Sequence, residues 1–197
     1  MTAGLTPIRL DSDTLAGTRR QVLEALLARA YKQGDFTLAS GERSDYYLDC
    51  KQVSLSPDAL AVGALLLARV LDLPCAAVGG PALGAVPLVA VVSALSALGP
   101  KPLPAFVVRK EAKGHGTRTN VDGTPLAAGT PVALLEDVVT TGGSVQFAID
   151  AARERGYKVE HVVCIVDRER GGAERLAAQG IALHALFQVS ELRAAAG

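Results

Sequence analysis

The segment PVALLEDVVTTGGS, residues 131–144, changes character twice. Pro131 to Leu135 is apolar throughout, as a strand buried on both faces is. Glu136 and Asp137 follow, then Val138, Val139, Thr140, Thr141, Gly142, Gly143 and Ser144, where a helix opens and runs to about Arg155 before Gly156 stops it. The same strand-then-helix unit recurs along the chain. Cys75 to Val78 precedes a helix from about Leu83 to Leu98, and Ala105 to Val108 is the next strand. Val162 to Val166 precedes a short helix near Ala173 to Ala178, and Ala182 to Val189 completes the set. Apolar strands alternating with helices predict an α/β fold with a doubly wound, mostly parallel sheet covered on both faces.

The N-terminal part reads differently. Leu15, Val22, Leu23, Leu26, Leu27 and Ala30 recur at helical spacing, which predicts a helix over 13–33 with Gly34 as its stop. Tyr46 to Val53 alternates like a half-exposed strand, and Ser56-Pro57-Asp58 starts another helix. The chain has 197 residues, and domains hold about 150, so a single domain over 1–197 is expected. Residues about 1–55 are expected to form a small hood on its core.

Composition excludes several classes. Twenty basic residues balance twenty acidic ones, whereas nucleic-acid binders carry surplus positive charge to displace counterions. Aromatics are 4% with no Trp, a poor supply of base-stacking platforms. Residues 73–100 lack charge, yet Gly79, Gly80, Pro81 and Pro87 interrupt them, so a buried strand, turn and helix are expected rather than a membrane span. Cys50, Cys75 and Cys164 are widely spaced, without the pairing pattern of a disulfide framework or a zinc site. The first residues lack a signal-peptide pattern, and a cytoplasmic location is expected.

In such a sheet, ligands bind beyond the carboxyl ends of the strands. Four loops meet there: the backbone-rich turn Gly79 to Gly84, the run Arg109, Lys110, Glu111, Lys113 and His115, the segment Glu136 to Ser144, and Asp167 to Gly172. The third is the most informative. A helix N-terminus has unpaired N–H groups and partial positive charge, so phosphate fits it, and glycines admit a close approach. Two acids beside a phosphate would repel it unless they accept hydrogen bonds from neutral groups such as ribose hydroxyls. A ribose 5-phosphate site follows; the Lys of a Walker loop and the GxGxxG spacing of a dinucleotide fold are missing.

VALLEDVVTTGGS resembles the signature of type I phosphoribosyltransferases, which bind 5-phosphoribosyl 1-pyrophosphate (PRPP). FTLASGERSDYYLD (36–49) and VVRKEAKGHGT (107–117) are similar to the orotate phosphoribosyltransferases, over about residues 20–190. The resemblance implies transfer of ribose 5-phosphate from PRPP to orotate, giving orotidine 5′-monophosphate in UMP biosynthesis. It implies Mg²⁺ held mainly by substrate oxygens and water, with no metal-binding side chain. It also implies a homodimer in which a glycine-rich lid, about Lys113 to Gly123, reaches the partner's site. Another phosphoribosyltransferase acting on a purine base, or a non-catalytic PRPP sensor, are the alternatives.

The resemblance also assigns roles. Lys113, His115 and Asp137 form the catalytic set, and Arg109, Lys110, Lys113 and His115 neutralise the departing pyrophosphate. Glu136 and Asp137 take the ribose hydroxyls, and residues 140 to 144 hold the 5′-phosphate of PRPP, with Val138 and Val139 also in its binding segment. Thr140, Tyr47 and Leu48 touch orotate, whose carboxylate pairs with Arg168. The chain departs from the family at Ala39, where many members carry Lys, at Leu83-Gly84 in place of a Tyr-Lys pair, and at Glu136 in place of the commoner Asp. His161 and His184 read as structural.

Overall fold

A computed structural model describes residues 10–37, 41, 43–110 and 120–197. Helix α1 (Ser12–Ala25) begins at Asp11, whose carboxylate accepts from the Thr14 N–H at 2.9 Å. It passes into a π-helical turn, Leu26–Ala30, and ends there rather than at Gln33. Tyr31–Thr37 is instead strand β1, paired antiparallel with β2 (Arg43–Leu48). The pairing satisfies the backbone as a helix would, and it buries Tyr31 in a stack on Tyr46, ring centroids 5.6 Å apart. Gly34 therefore stops no helix; it sits at φ 148°, where the register shifts between Gln33 and Phe36. β2 also ends earlier than expected, and Lys51–Ser54 winds into the short helix α2, which buries Cys50 and Val53 together.

Helix α3 (Ala59–Leu71) starts after Ser56, whose hydroxyl accepts from the Asp58 N–H at 3.2 Å. It packs closely on α4 (Val86–Ser96): a Cβ on Gly63 would lie 1.9 Å from Val91 Cγ1. Among the described residues, no helix is long and apolar enough to cross a membrane.

The main sheet is parallel throughout, in the order β3 (Ala77–Gly79), β6 (Pro131–Val139), β7 (Lys158–Asp167) and β8 (Ala182–Gln188). Strand β4 (Phe106–Val108) extends it beside β3 through the single bridges Val78–Ala105 and Pro81–Val108. β4 also pairs antiparallel with β5 (Val121–Gly123), a strand the sequence pattern does not announce. Ala133, Leu135, Val163 and Ile165 enter one core with α1, α3 and α4, while Val132, Leu134, Val162 and Cys164 enter another with α5 (Gly143–Glu154). Burial on both faces is why these strands lack polar alternation, and the expected doubly wound α/β sheet is the one observed. Helix α6 (Gly172–Ala177) precedes β8, and α7 (Val189–Ala196) follows it, where sequence reading continued no element.

The winding reverses between β3 and β6. From β3 the chain crosses through α4 to β4 on one side; from β6 it crosses through α5 to β7 on the other. A crevice opens beyond the carboxyl ends of two strands where their connections diverge in this way.

Candidate functional site

β6 continues four residues past Leu135, in register with β7 as far as Val139 opposite Asp167. Glu136 and Asp137 thus belong to the strand itself and inherit its rigidity. Beyond Val139 the chain turns through Gly142, at φ 79°, into α5, whose first turn no side chain caps. The α5 N–H groups face a cavity of about 180 Å³ lined by Glu136, Val138 to Val145 and the loop backbone. Gly172 buttresses this loop, since a Cβ there would lie 2.6 Å from Val139 Cγ1 and 2.7 Å from the Thr140 carbonyl oxygen. Residues 140–144, where the phosphate cradle is expected, line one cavity together with Val138 and Val139.

The two acids occupy unlike surroundings. Glu136 is only 4% exposed. Burial, followed by the neighbouring Asp137 charge and hydrogen bond, pushes its carboxyl up to about 9. Oε1 accepts from the Asp137 N–H at 3.2 Å, but Oε2 is buried without a partner among the described residues. A buried polar atom in this state needs a hydrogen-bond partner, which a ligand hydroxyl can supply. Asp137 Oδ1 accepts from the Val138 N–H at 2.9 Å, and its carboxylate abuts the turn after β3: a Cβ on Gly84 would lie 2.6 Å from its carboxyl carbon and both oxygens. A side chain at position 84 would force the Asp137 carboxyl to shift. Of the two acids expected to accept from ribose hydroxyls, Glu136 is sealed from water and its carboxyl is held far above the usual range, whereas Asp137 is only partly buried.

The turn Gly79 to Gly84 lies against the end of β6. Gly80 passes so near β6 that a Cβ would lie 2.3 Å from the Leu135 carbonyl oxygen. The Ala82 N–H donates to the Val108 carbonyl at 2.7 Å, so one of the turn's expected anion donors serves the fold instead. Arg109 follows β4, its Nε 2.5 Å from Asp122 Oδ2. Lys110 is exposed, and its charge acts on Glu136. Lys113 and His115, with Ala39, lie outside the described residues. Among the described residues no three His, Cys, Asp or Glu gather into a metal cluster.

Arg168 leaves the end of β7 with its N–H on the Val139 carbonyl at 2.8 Å, directly beside the cradle. Its Nε donates to the Tyr46 hydroxyl at 2.7 Å. The hairpin is thereby joined to the rim, but through Tyr46 rather than through Tyr47 or Leu48. Tyr47 is 44% exposed and lies against Phe36, and Leu48 is half-buried. Tyr46 escaped sequence reading; the signal was a tyrosine at a buried strand position, whose hydroxyl needs a partner. Lys51 escaped too: it pairs with Asp49 at 2.6 Å, and its amine is held above the ordinary range by Asp49 and, less strongly, by Asp137. His161 and His184 touch each other at 3.3 Å in mid-sheet, six residues before the rim-side end of β7.

Residues 67–180 match the family model described as phosphoribosyl transferase domain. An orotate phosphoribosyltransferase of Thermosynechococcus vestitus is 50% identical over 183 residues, covering 92% of this chain and 96% of that one. The orotate phosphoribosyltransferase of Mycobacterium tuberculosis, crystallised with Fe(III) dicitrate, superposes with a TM-score of 0.78 at 32% identity, over 89% of this chain and 98% of that one. The same enzyme in complex with PRPP gives a TM-score of 0.74 at 28% identity, over 89% and 99% of the two chains.

Proposed function

The chain belongs to the orotate phosphoribosyltransferase family, and from that membership we infer that it transfers ribose 5-phosphate from PRPP to orotate, yielding orotidine 5′-monophosphate and pyrophosphate in pyrimidine biosynthesis. The bond from the anomeric carbon to diphosphate oxygen breaks as one to an orotate ring nitrogen forms. Positive charge gathers on the ribose and negative charge on the leaving group, so the site must fix the sugar and neutralise the diphosphate.

The observation that carries this reading is a single cavity shared by the uncapped N-terminus of α5 and the unpartnered Oε2 of Glu136. Residues 140–144 take the 5′-phosphate with backbone N–H groups and hydroxyls. Glu136 and Asp137 take the ribose hydroxyls. A neutral Glu136 both donates and accepts, as a hydroxyl does, and brings no negative charge against the phosphate. Arg109, Lys110, Lys113 and His115 face the diphosphate, and Lys113 and His115 supply the cations of the lid. Arg168 holds the orotate carboxylate with a guanidinium fork, Thr140 contacts the base, and Tyr47 and Leu48 flank the ring.

When bound, Mg²⁺ would add to neutralisation of the diphosphate, and it would be held by substrate oxygens and water rather than by a cage of side chains. The working unit is a homodimer whose lids cross between sites, with residues about 1–55 as the hood over the base, in the cytoplasm. The buried, unpaired cysteines suit a reducing compartment.

The test is an assay of the purified protein with orotate, adenine and hypoxanthine, each with and without PRPP and Mg²⁺. Orotate consumption that requires both is the expected result; turnover of a purine instead overturns the base assignment, and no turnover of any base overturns the enzyme reading.

A further inference from the structure

Tyr46 is 1% exposed, among the largest fully buried side chains, and carries two cations. Its ring stacks on Tyr31, with the Arg168 guanidinium carbon 4.7 Å and the Arg193 guanidinium carbon 4.9 Å from its centroid. The arginines differ in their other partners. Arg193, on α7, has Nη2 2.5 Å from Asp45 Oδ1, which neutralises it. Arg168 has no carboxylate partner among the described residues; its side chain donates through Nε alone, to the Tyr46 hydroxyl at 2.7 Å. A guanidinium can present two forks, a lateral one that includes Nε and a terminal one made of the two Nη groups. The hydroxyl closes the lateral fork and leaves the terminal fork, with its charge uncompensated.

We propose that Tyr46 is a positioning residue for base recognition: its hydroxyl fixes Arg168 so that the terminal fork is presented end-on to a planar carboxylate on the incoming base. This rests on the reading of Arg168 given above. The hydroxyl is held in place by Tyr31 behind the ring, and by the Ser44 hydroxyl, which donates to the Tyr46 carbonyl at 2.7 Å. The Arg193–Asp45 pair adds a clamp from α7, so the C-terminal helix takes part in setting the orotate end of the site.

Tyr46→Phe tests this, because it keeps the ring, its stacking and both cation contacts and removes only the acceptor. A lost hydrogen bond to a charged group predicts that KM for orotate rises about tenfold. KM for PRPP and kcat at saturating orotate stay as in the unmodified protein, and the thermal midpoint falls by only the few degrees that one lost hydrogen bond costs. Arg168→Gln is measured alongside, with the double variant; the second change should add little to the first, because both act through one contact. If Arg168→Gln raises KM for orotate and Tyr46→Phe leaves it alone, the inference fails while the site reading stands. Tyr46→Phe raising both KM values together with a larger fall in midpoint shows a structural role and also overturns it. If Arg168→Gln leaves KM for orotate unchanged, the site reading itself falls and the inference with it.

Discussion

Replacing Glu136 by Gln preserves the side chain's shape and its acceptor for the Asp137 N–H but removes the titrating proton. In the folded chain the carboxyl titrates at about 9, against 4.5 for an ordinary glutamate. Between those values the folded state holds a proton that the unfolded state has released, so the folded protein binds more protons and loses stability as pH rises. The slope is about 1.4 kcal/mol per pH unit. At pH 7 the penalty follows from the distance to the unfolded value alone, and comes to roughly 3 kcal/mol so long as the folded carboxyl stays neutral. Glutamine escapes it, less the expense of burying an amide nitrogen where Oε2 now lies. The variant is therefore expected to be more stable by about 2–3 kcal/mol at pH 7 and by next to nothing near pH 4.5. Urea unfolding of both proteins without substrate, at a series of pH values from 4.5 to about 8.5, reads this directly. Other titrating groups are common to both proteins and cancel in the difference. A difference that stays constant across that range would refute the buried, neutral glutamate.

Gly84→Ala should raise KM for PRPP by about tenfold or more, because its methyl group enters the space of the Asp137 carboxylate, 2.6 Å away, and displaces it; steady-state kinetics with orotate saturating measures this, and an unchanged KM would exclude Asp137 from the sugar contacts. Lys113→Ala should lower kcat by about a hundredfold or more, since a cation facing developing charge acts mainly in the transition state. Its unfolding midpoint should scarcely move, and full activity in that variant would remove the lid from the mechanism.

The sheet was legible because each strand is a contiguous apolar run followed by a helical pattern, and the parallel order then places every following loop on one rim. The phosphate cradle was legible for the same reason: Glu136 to Ser144 is one uninterrupted segment. What escaped depends on distant partners. The periodicity from Leu15 to Ala30 runs on smoothly toward Gly34, and only pairing with Tyr46 to Leu48 turns Tyr31 to Gln33 into a strand. β5 exists because Val121–Gly123 pairs with β4. The Arg168–Tyr46 contact spans 122 positions of sequence, and no local pattern marks it. Glu136 looked like its neighbour Asp137 until the packing of β6 showed which of the two is sealed from water.

The two ends of the crevice are assembled in different ways, and this governs how such a protein can change. One continuous segment, anchored on a central strand packed on both sides, forms the phosphate end, and its buried members Glu136, Val139 and Val145 tie it to the core. The base end brings together a tyrosine from the hairpin and an arginine from a loop 122 positions further along the sequence. A lineage could therefore exchange one nucleobase for another by drifting in the hairpin and that loop, while its hold on the common sugar donor stayed as it was.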